Sequence, residues 1–137
     1  MREFFEPRSV AVIGVSESPP NMGRAIIANL IEFNYDGIIY EVGHKGGTLF
    51  GRRIYRSVSD IPDKVDLAVI LTPAKTVPDI LTECGEKGIR YVIIESAGFR
   101  EYGLEGQKIE EELLRVAKKY SIRFIGPNCI GVMNMHN

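Results

Sequence analysis

The sequence predicts a single α/β domain built as a doubly wound, mainly parallel sheet with helices on both faces. Two observations carry this expectation. Short β-branched runs recur along the chain with helical stretches between them, the alternation that produces strand–helix–strand units. Within each run apolar residues barely alternate with polar ones, so both faces of every strand are buried, as in an open sheet lying between two helix layers. A length of 137 residues fits one domain spanning residues 1–137, at about 150 residues per domain.

The first strand is expected over Val10 to Val15. After Gly23 a helix carries an apolar stripe of Ile26, Leu30 and Phe33, and Asp36-Gly37 supplies its stop. Ile38 to Val42 form the second strand. Between Gly43 and Pro62 the composition turns to Gly, Lys, Arg and Ser, which predicts a loop, a short edge strand at Ile54-Tyr55 and a turn at Asp60-Ile61-Pro62. A strand over Leu67 to Leu71 precedes a helix with Thr76 as N-cap, Pro78 in its first turn and Asp79 favourably placed against the helix dipole. Gly85 or Gly88 ends that helix. Tyr91 to Ile94 is the next strand. From Glu105 to Tyr120, Ile109, Leu113, Val116, Ala117 and Tyr120 share one face while Lys108, Glu111, Arg115 and Lys118 are solvated, and the short strand Phe124-Ile125 closes the series.

Composition narrows the function classes. Hydrophobic residues make up 45% and charged residues 26% of the chain, within the ordinary globular range. Seventeen basic against eighteen acidic residues give a net charge of −1 with no block of like charge, which disfavours nucleic acid or an anionic membrane as a partner recognised by bulk charge. Two cysteines, Cys84 and Cys129, exclude a disulfide scaffold and suit a reducing compartment. The start, Met1 to Pro7, carries charges and a proline where a signal peptide needs an apolar core, and no segment approaches the ~20 apolar residues of a membrane span. A soluble, cytoplasmic protein is expected. The two histidines, His44 and His136, and the two cysteines lack zinc-ligand spacing, and no nucleophile stands at motif spacing from a histidine.

The candidate site lies where the strands end. Gly14 to Gly23 connects the first strand to the first long helix, a context that fits either a phosphate cradle or an ordinary strand-to-helix turn. Gly14 lets a ligand approach the backbone, Ser16 and Ser18 add hydroxyl donors, and Arg24 adds charge. The spacing is neither G-x-G-x-x-G nor a P-loop. Glu41, near the end of the second strand, lies 27 residues beyond Gly14, whereas a nicotinamide-binding fold places its ribose-holding acid about 20 residues on. Lys45, Arg52 and Arg53 follow and suit a phosphorylated ribose or a solvated loop. Thr72-Pro73-Ala74, Ser96-Ala97-Gly98 and Gly126-Pro127-Asn128 follow three other strands with small, uncharged residues, leaving space for a long ligand across the sheet edge.

Several stretches in order resemble one family across nearly the whole chain. Phe4-Phe5-Glu6-Pro7-Arg8-Ser9-Val10-Ala11-Val12-Ile13-Gly14-Val15-Ser16 is similar to the opening of the CoA-binding domain of NDP-forming acyl-CoA synthetases. Asn29-Leu30, Asp60-Ile61-Pro62, Val65 to Ile70, Ser96 to Phe99 and Gly126 to Gly131 extend the likeness. That family includes ADP-forming acetate–CoA ligases and, more distantly, the α subunit of succinyl-CoA synthetase. The resemblance implies a Rossmann-like domain that holds coenzyme A for acyl transfer from an acyl phosphate. Phosphohistidine and ATP-grasp domains or subunits of the same synthetase would be its partners, and the chain alone would be inactive. The candidate CoA-contacting positions are those of the strand-end loops: Gly14, Ser16, Ser18, Arg24, Lys45, Thr72, Pro73, Ser96, Ala97 and Asn128. Where the family commonly has Asn-Pro before the lysine, this chain has Gly43-His44. A stand-alone CoA-binding or regulatory protein and a nicotinamide-binding module are the alternatives.

Overall fold

The computed structural model describes residues 2–96, 103–126 and 132–133. β1 (Ser9–Ile13) is buried along its whole length and lies inside an eight-stranded sheet. On one side follow β2 (Ile38–Val42), β4 (Arg52–Tyr55) and the outer β3 (Thr48–Leu49); on the other, β5 (Leu67–Ile70), β6 (Tyr91–Ile94), β7 (Arg123–Ile125) and the outer β8 (Val132–Met133). Strands β4, β2, β1, β5, β6 and β7 run parallel, while β3 and β8 pair antiparallel at the two edges. The chain moves outward from β1 through β2 and β4, then returns to the far side of β1 as β5. The order therefore reverses between β1 and β5, and the crevice at their carboxyl ends is where such a sheet binds ligands.

Helices cover both faces. α3 (Val77–Lys87) and α4 (Leu104–Tyr120) lie on the face that carries Ala11, Ala68, Val92, Ile94 and Phe124. Ala11 and Ala68 are register partners on the two central strands. On the opposite face α2 (Met22–Glu32) packs Ile27 in one cluster with Val10, Val12 and Ile39, and the short α1 (Arg2–Phe5) sets Phe4 edge-on against Tyr91, with ring centres 5.2 Å apart. Among the described residues no helix is long and apolar enough to cross a membrane.

Several local expectations need correction. β1 ends at Ile13 rather than Val15. Phe33 is not part of the apolar stripe; it is 78% exposed at the C-cap of α2, and fully buried Ile27 takes that role. The helix ends at Glu32, with Phe33 as its C-cap and the left-handed Asn34 just beyond, not at Asp36-Gly37. Asn34 takes φ 57°, its N–H reaches the Ile31 carbonyl, and the Tyr35 N–H reaches that of Leu30, the paired pattern of a left-handed helix end. Thr76 occupies the N-cap position of α3 as expected, but its side chain makes no capping bond; its hydroxyl donates to the Pro73 carbonyl at 2.6 Å. Ile54-Tyr55 belongs to an inner strand, because β3 folds back outside it through a two-residue turn at Phe50-Gly51 with both residues at positive φ. The loop expectation missed β3, and the short α1 and β8 carry no periodic signal long enough to read.

Gly85 lies inside α3 rather than at its end, which belongs to the left-handed Gly88. A Cβ on Gly85 would sit 2.3 Å from the Tyr120 ring, so the missing side chain lets α4 close onto α3. Helix propensity alone says Gly85→Ala should stabilise α3 by about 1 kcal/mol. The packing says otherwise: we expect a lower melting temperature, since overpacking costs roughly 1–3 kcal/mol. A thermal melt checks this, and an unchanged or raised midpoint would mean that Tyr120 yields without cost.

Candidate functional site

At the carboxyl edge of the sheet the first two strand ends meet more closely than side chains would allow. The N–H groups of Gly14 and Val15 both donate to the Val42 carbonyl at 2.9 Å, and the Gly43 N–H donates to the Tyr55 carbonyl at 2.8 Å. A Cβ on Gly43 would lie 2.0 Å from the Val15 carbonyl oxygen, so a glycine is required there by backbone crossing. Gly14, at φ +110°, passes against the Leu71 backbone in the same way, with a notional Cβ 3.1 Å from the Leu71 carbonyl carbon.

Asn21 organises the loop that follows β1. Its Oδ1 accepts from the N–H groups of Ser16 (3.1 Å) and Arg24 (2.8 Å), and its Nδ2 donates to the Gly14 carbonyl at 3.0 Å. The Ser18 N–H is taken by Ser16 Oγ. Among the described residues no acceptor takes the N–H groups of Met22 and Gly23 at the start of α2, nor that of Glu17 in the loop before it. Arg24 is committed elsewhere: its guanidinium donates to the Glu17 carbonyl and lies 5.4 Å from the centre of the Phe50 ring, clamping the β3–β4 turn onto α2.

A cleft of about 190 Å³ opens beside the crossing on the α3 face. Its floor is Ile13, Val42, Val58 and Ile80, and Gly14, Gly43 and Thr72 bring the strand ends to it. His44, Arg56, Ser57 and Glu83 supply its polar groups. Ser57, at the start of a 3₁₀ turn over Val58–Asp60, donates to Glu83 Oε1 at 2.8 Å. Lys45 is exposed on the loop beside His44.

The sequence-predicted residues therefore divide. Gly14 and Thr72 line the cleft; Ser16, Ser18 and Arg24 lie on the neighbouring loop and helix start; Lys45 stands at its edge; Pro73 is exposed at the head of a 3₁₀ turn. Ser96 is buried after β6, with Oγ 3.5 Å from the Ile70 carbonyl. Ala97, Asn128, Cys129 and His136 lie outside the described residues. Cys84 is fully buried, which pushes its thiol up to about 12, and it belongs to the core. Sequence reasoning missed Asn21, Arg56, Ser57 and Glu83, and it gave no role to His44, which is exposed at the mouth of the cleft.

Glu41 points the other way. It pairs in register with Val12 and Ile54, sits on the α2 face, is wholly inaccessible, and neither carboxylate oxygen has a partner among the described residues. Val42, its neighbour, is the residue that faces the cleft, so Glu41 is not placed as a ribose-holding acid. Burial raises its pKa from 4.5 to about 7, opposed in part by the charge of Arg52.

The comparisons with known proteins fit this geometry. The family model described as CoA binding domain matches residues 8–135. The chain belongs to the CoA-binding domain family. It is 51% identical over 137 residues to the α subunit of ADP-forming acetate–CoA ligase I of Pyrococcus furiosus, covering 97% of this chain and 30% of that one. Against the ADP-forming 4-hydroxybutyrate–CoA ligase of Nitrosopumilus maritimus it is 42% identical, covering 96% of this chain and 19% of the relative. The solved apo structure of a dinucleotide-forming acetyl-coenzyme A synthetase 1 from Ca. Korarchaeum cryptofilum superposes with a TM-score of 0.86 at 37% identity, over 93% of this chain and 27% of that one. The CoA-binding domain thus spans less than a third of the length of these relatives.

Glu41 gives a pH test of the site's foundation. The folded state holds the proton of Glu41 up to about pH 7 and the unfolded state releases it near 4.5, so stability falls as pH rises through that window and is level beyond it. A gap of about 2.5 pH units at 1.36 kcal/mol each amounts to about 3 kcal/mol. Denaturant melts of wild type and Glu41→Gln at pH 4.5 and pH 7.5 should show the variant losing less stability than wild type by an amount of that order. Equal losses would contradict the burial of this carboxyl.

Proposed function

We propose that this chain is the CoA-holding domain of an ADP-forming acyl-CoA synthetase, presenting coenzyme A for acyl transfer from an acyl phosphate. The acyl phosphate would be made with phosphohistidine and ATP-grasp domains or subunits of the same enzyme. The observation that carries the reading is the crevice at the reversal of strand order, where glycine crossings, three unclaimed N–H groups and basic side chains converge in a chain of this family. Relatives named for acetate and for 4-hydroxybutyrate share the domain at comparable identity, so the choice of acid rests on residues outside it.

The residues fit CoA piece by piece. The diphosphate suits the N–H groups of Met22 and Gly23 at the start of α2, where the helix dipole favours negative charge, with that of Glu17 in the loop before it. Ser16 and Ser18 add hydroxyls beside it, and Gly14 keeps the floor flat. Arg24 serves by holding the hairpin rather than by touching phosphate. Lys45 stands where the 3′-phosphate of the ribose would lie. The pantetheine arm would run past Thr72 and Pro73 toward Ser96, Ala97 and Asn128, because parallel strands deliver all these ends to one edge.

Calorimetric titration separates this reading from a nicotinamide-binding one: CoA should bind, and NAD and NADP should bind more weakly or not at all. Tighter binding of either dinucleotide would overturn the assignment. Lys45→Ala should weaken CoA by about tenfold or more, the loss expected of one charge-assisted hydrogen bond. Dephospho-CoA should be affected less. Equal losses for both ligands would move Lys45 away from the 3′-phosphate.

A further inference from the structure

Building on the CoA reading, we propose that Glu83, oriented by Ser57, is the specificity-determining residue for the nucleobase, accepting a hydrogen bond from the exocyclic amino group of adenine in the cleft beside α3. The cleft's size sets the first limit. At about 190 Å³ it is smaller than the ~300–1,000 Å³ of a pocket that encloses a whole small ligand, so it takes one ring system rather than the coenzyme. Its chemistry sets the second. Ile13, Val42, Val58 and Ile80 give an apolar floor suited to a flat ring, and the polar groups are confined to the wall and mouth.

The wall is oriented. Ser57 Oγ accepts from the Ser59 N–H at 3.2 Å, which turns the hydroxyl proton toward Glu83 Oε1 at 2.8 Å. With Oε1 engaged, Oε2 is left to accept from a ligand. A carboxylate in this position repels phosphate, so neither the diphosphate nor the 3′-phosphate enters the cleft. Both belong outside, toward the start of α2 and toward Lys45. Arg56, which also lines the cleft, lies beside Gly46, whose notional Cβ would be 3.2 Å from Arg56 Nε. Among the parts of CoA, adenine alone combines a flat apolar ring with an amino donor on its edge.

The test compares CoA with deamino-CoA, in which hypoxanthine places a carbonyl oxygen where adenine has its amino group. Wild type should bind CoA about tenfold more tightly than deamino-CoA, because the substituted base faces Glu83 with an acceptor instead of a donor. Glu83→Gln, whose amide can turn either its oxygen or its nitrogen to the base, should bring the two affinities together. Ser57→Ala, which frees Glu83 to rotate, should narrow the gap in the same direction. Equal affinity of wild type for the two ligands overturns the inference without touching the CoA assignment and needs no variant to fold. An undiminished preference in Glu83→Gln with a native-like melt also overturns it. Failure of wild type to bind CoA at all overturns the functional reading itself, and this inference with it.

Discussion

The close passage of Val15 over Gly43 is the constraint from which the edge of this sheet is built. Two backbones can approach this closely only because no Cβ stands between them, and the approach pulls the ends of β1 and β2 together next to the reversal of strand order between β1 and β5. Val42 becomes a shared acceptor for two N–H groups of the β1 end, so the loops leaving β1 and β2 start from one fixed point. Everything that follows inherits its direction from that point. The β1 loop turns into α2 under the control of Asn21, and the β2 loop turns toward the hairpin that Arg24 clamps through Phe50.

The same crossing divides the charges around it. Glu41 and Val42 are adjacent on β2 and therefore face opposite sides of the sheet. Glu41 is driven into apolar surroundings on the α2 side, where it favours its neutral form, whereas Val42 lends the cleft an apolar floor. Acidic character on the ligand side comes instead from Glu83 on α3, a residue distant in sequence and brought in by the crossover helix. Lys45 stays on the exposed loop beside the cleft. Such a separation suits a ligand whose phosphates lie at the rim while an uncharged ring enters the cleft.

The fold class and the core strands were legible because buried parallel strands write uninterrupted β-branched runs and α4 writes a full helical period; their order in the sheet was not. Helix ends were harder. Gly88 could be read as a stop and α4 was read to its last residue, Tyr120, but Asn34 takes a left-handed conformation without being glycine, and the nearby Asp36-Gly37 offered a stronger local signal. The hairpin was partly hidden for the same reason: Phe50, at φ 52°, occupies a turn position where sequence patterns favour Asn, Asp or Gly, and it is held there by contact with Arg24. Within the site, residues at strand ends such as Gly14 and Thr72 were visible from their position in the pattern. Ser57 and Glu83 were not, because their pairing depends on how α3 crosses the sheet, and on the sequence alone Glu83 resembles any solvated helix residue.

The central claim is that coenzyme A lies along the carboxyl edge at the β1–β2 crossing, and residue-by-residue amide chemical-shift changes on titration with CoA test it most directly. The account predicts the largest changes at Glu17, Met22, Gly23, His44, Thr72 and Glu83. It predicts none at Arg8, Asp36 and Gly37, which surround a groove near the amino ends of the strands. Changes centred on that groove, with the crossing unaffected, would contradict it.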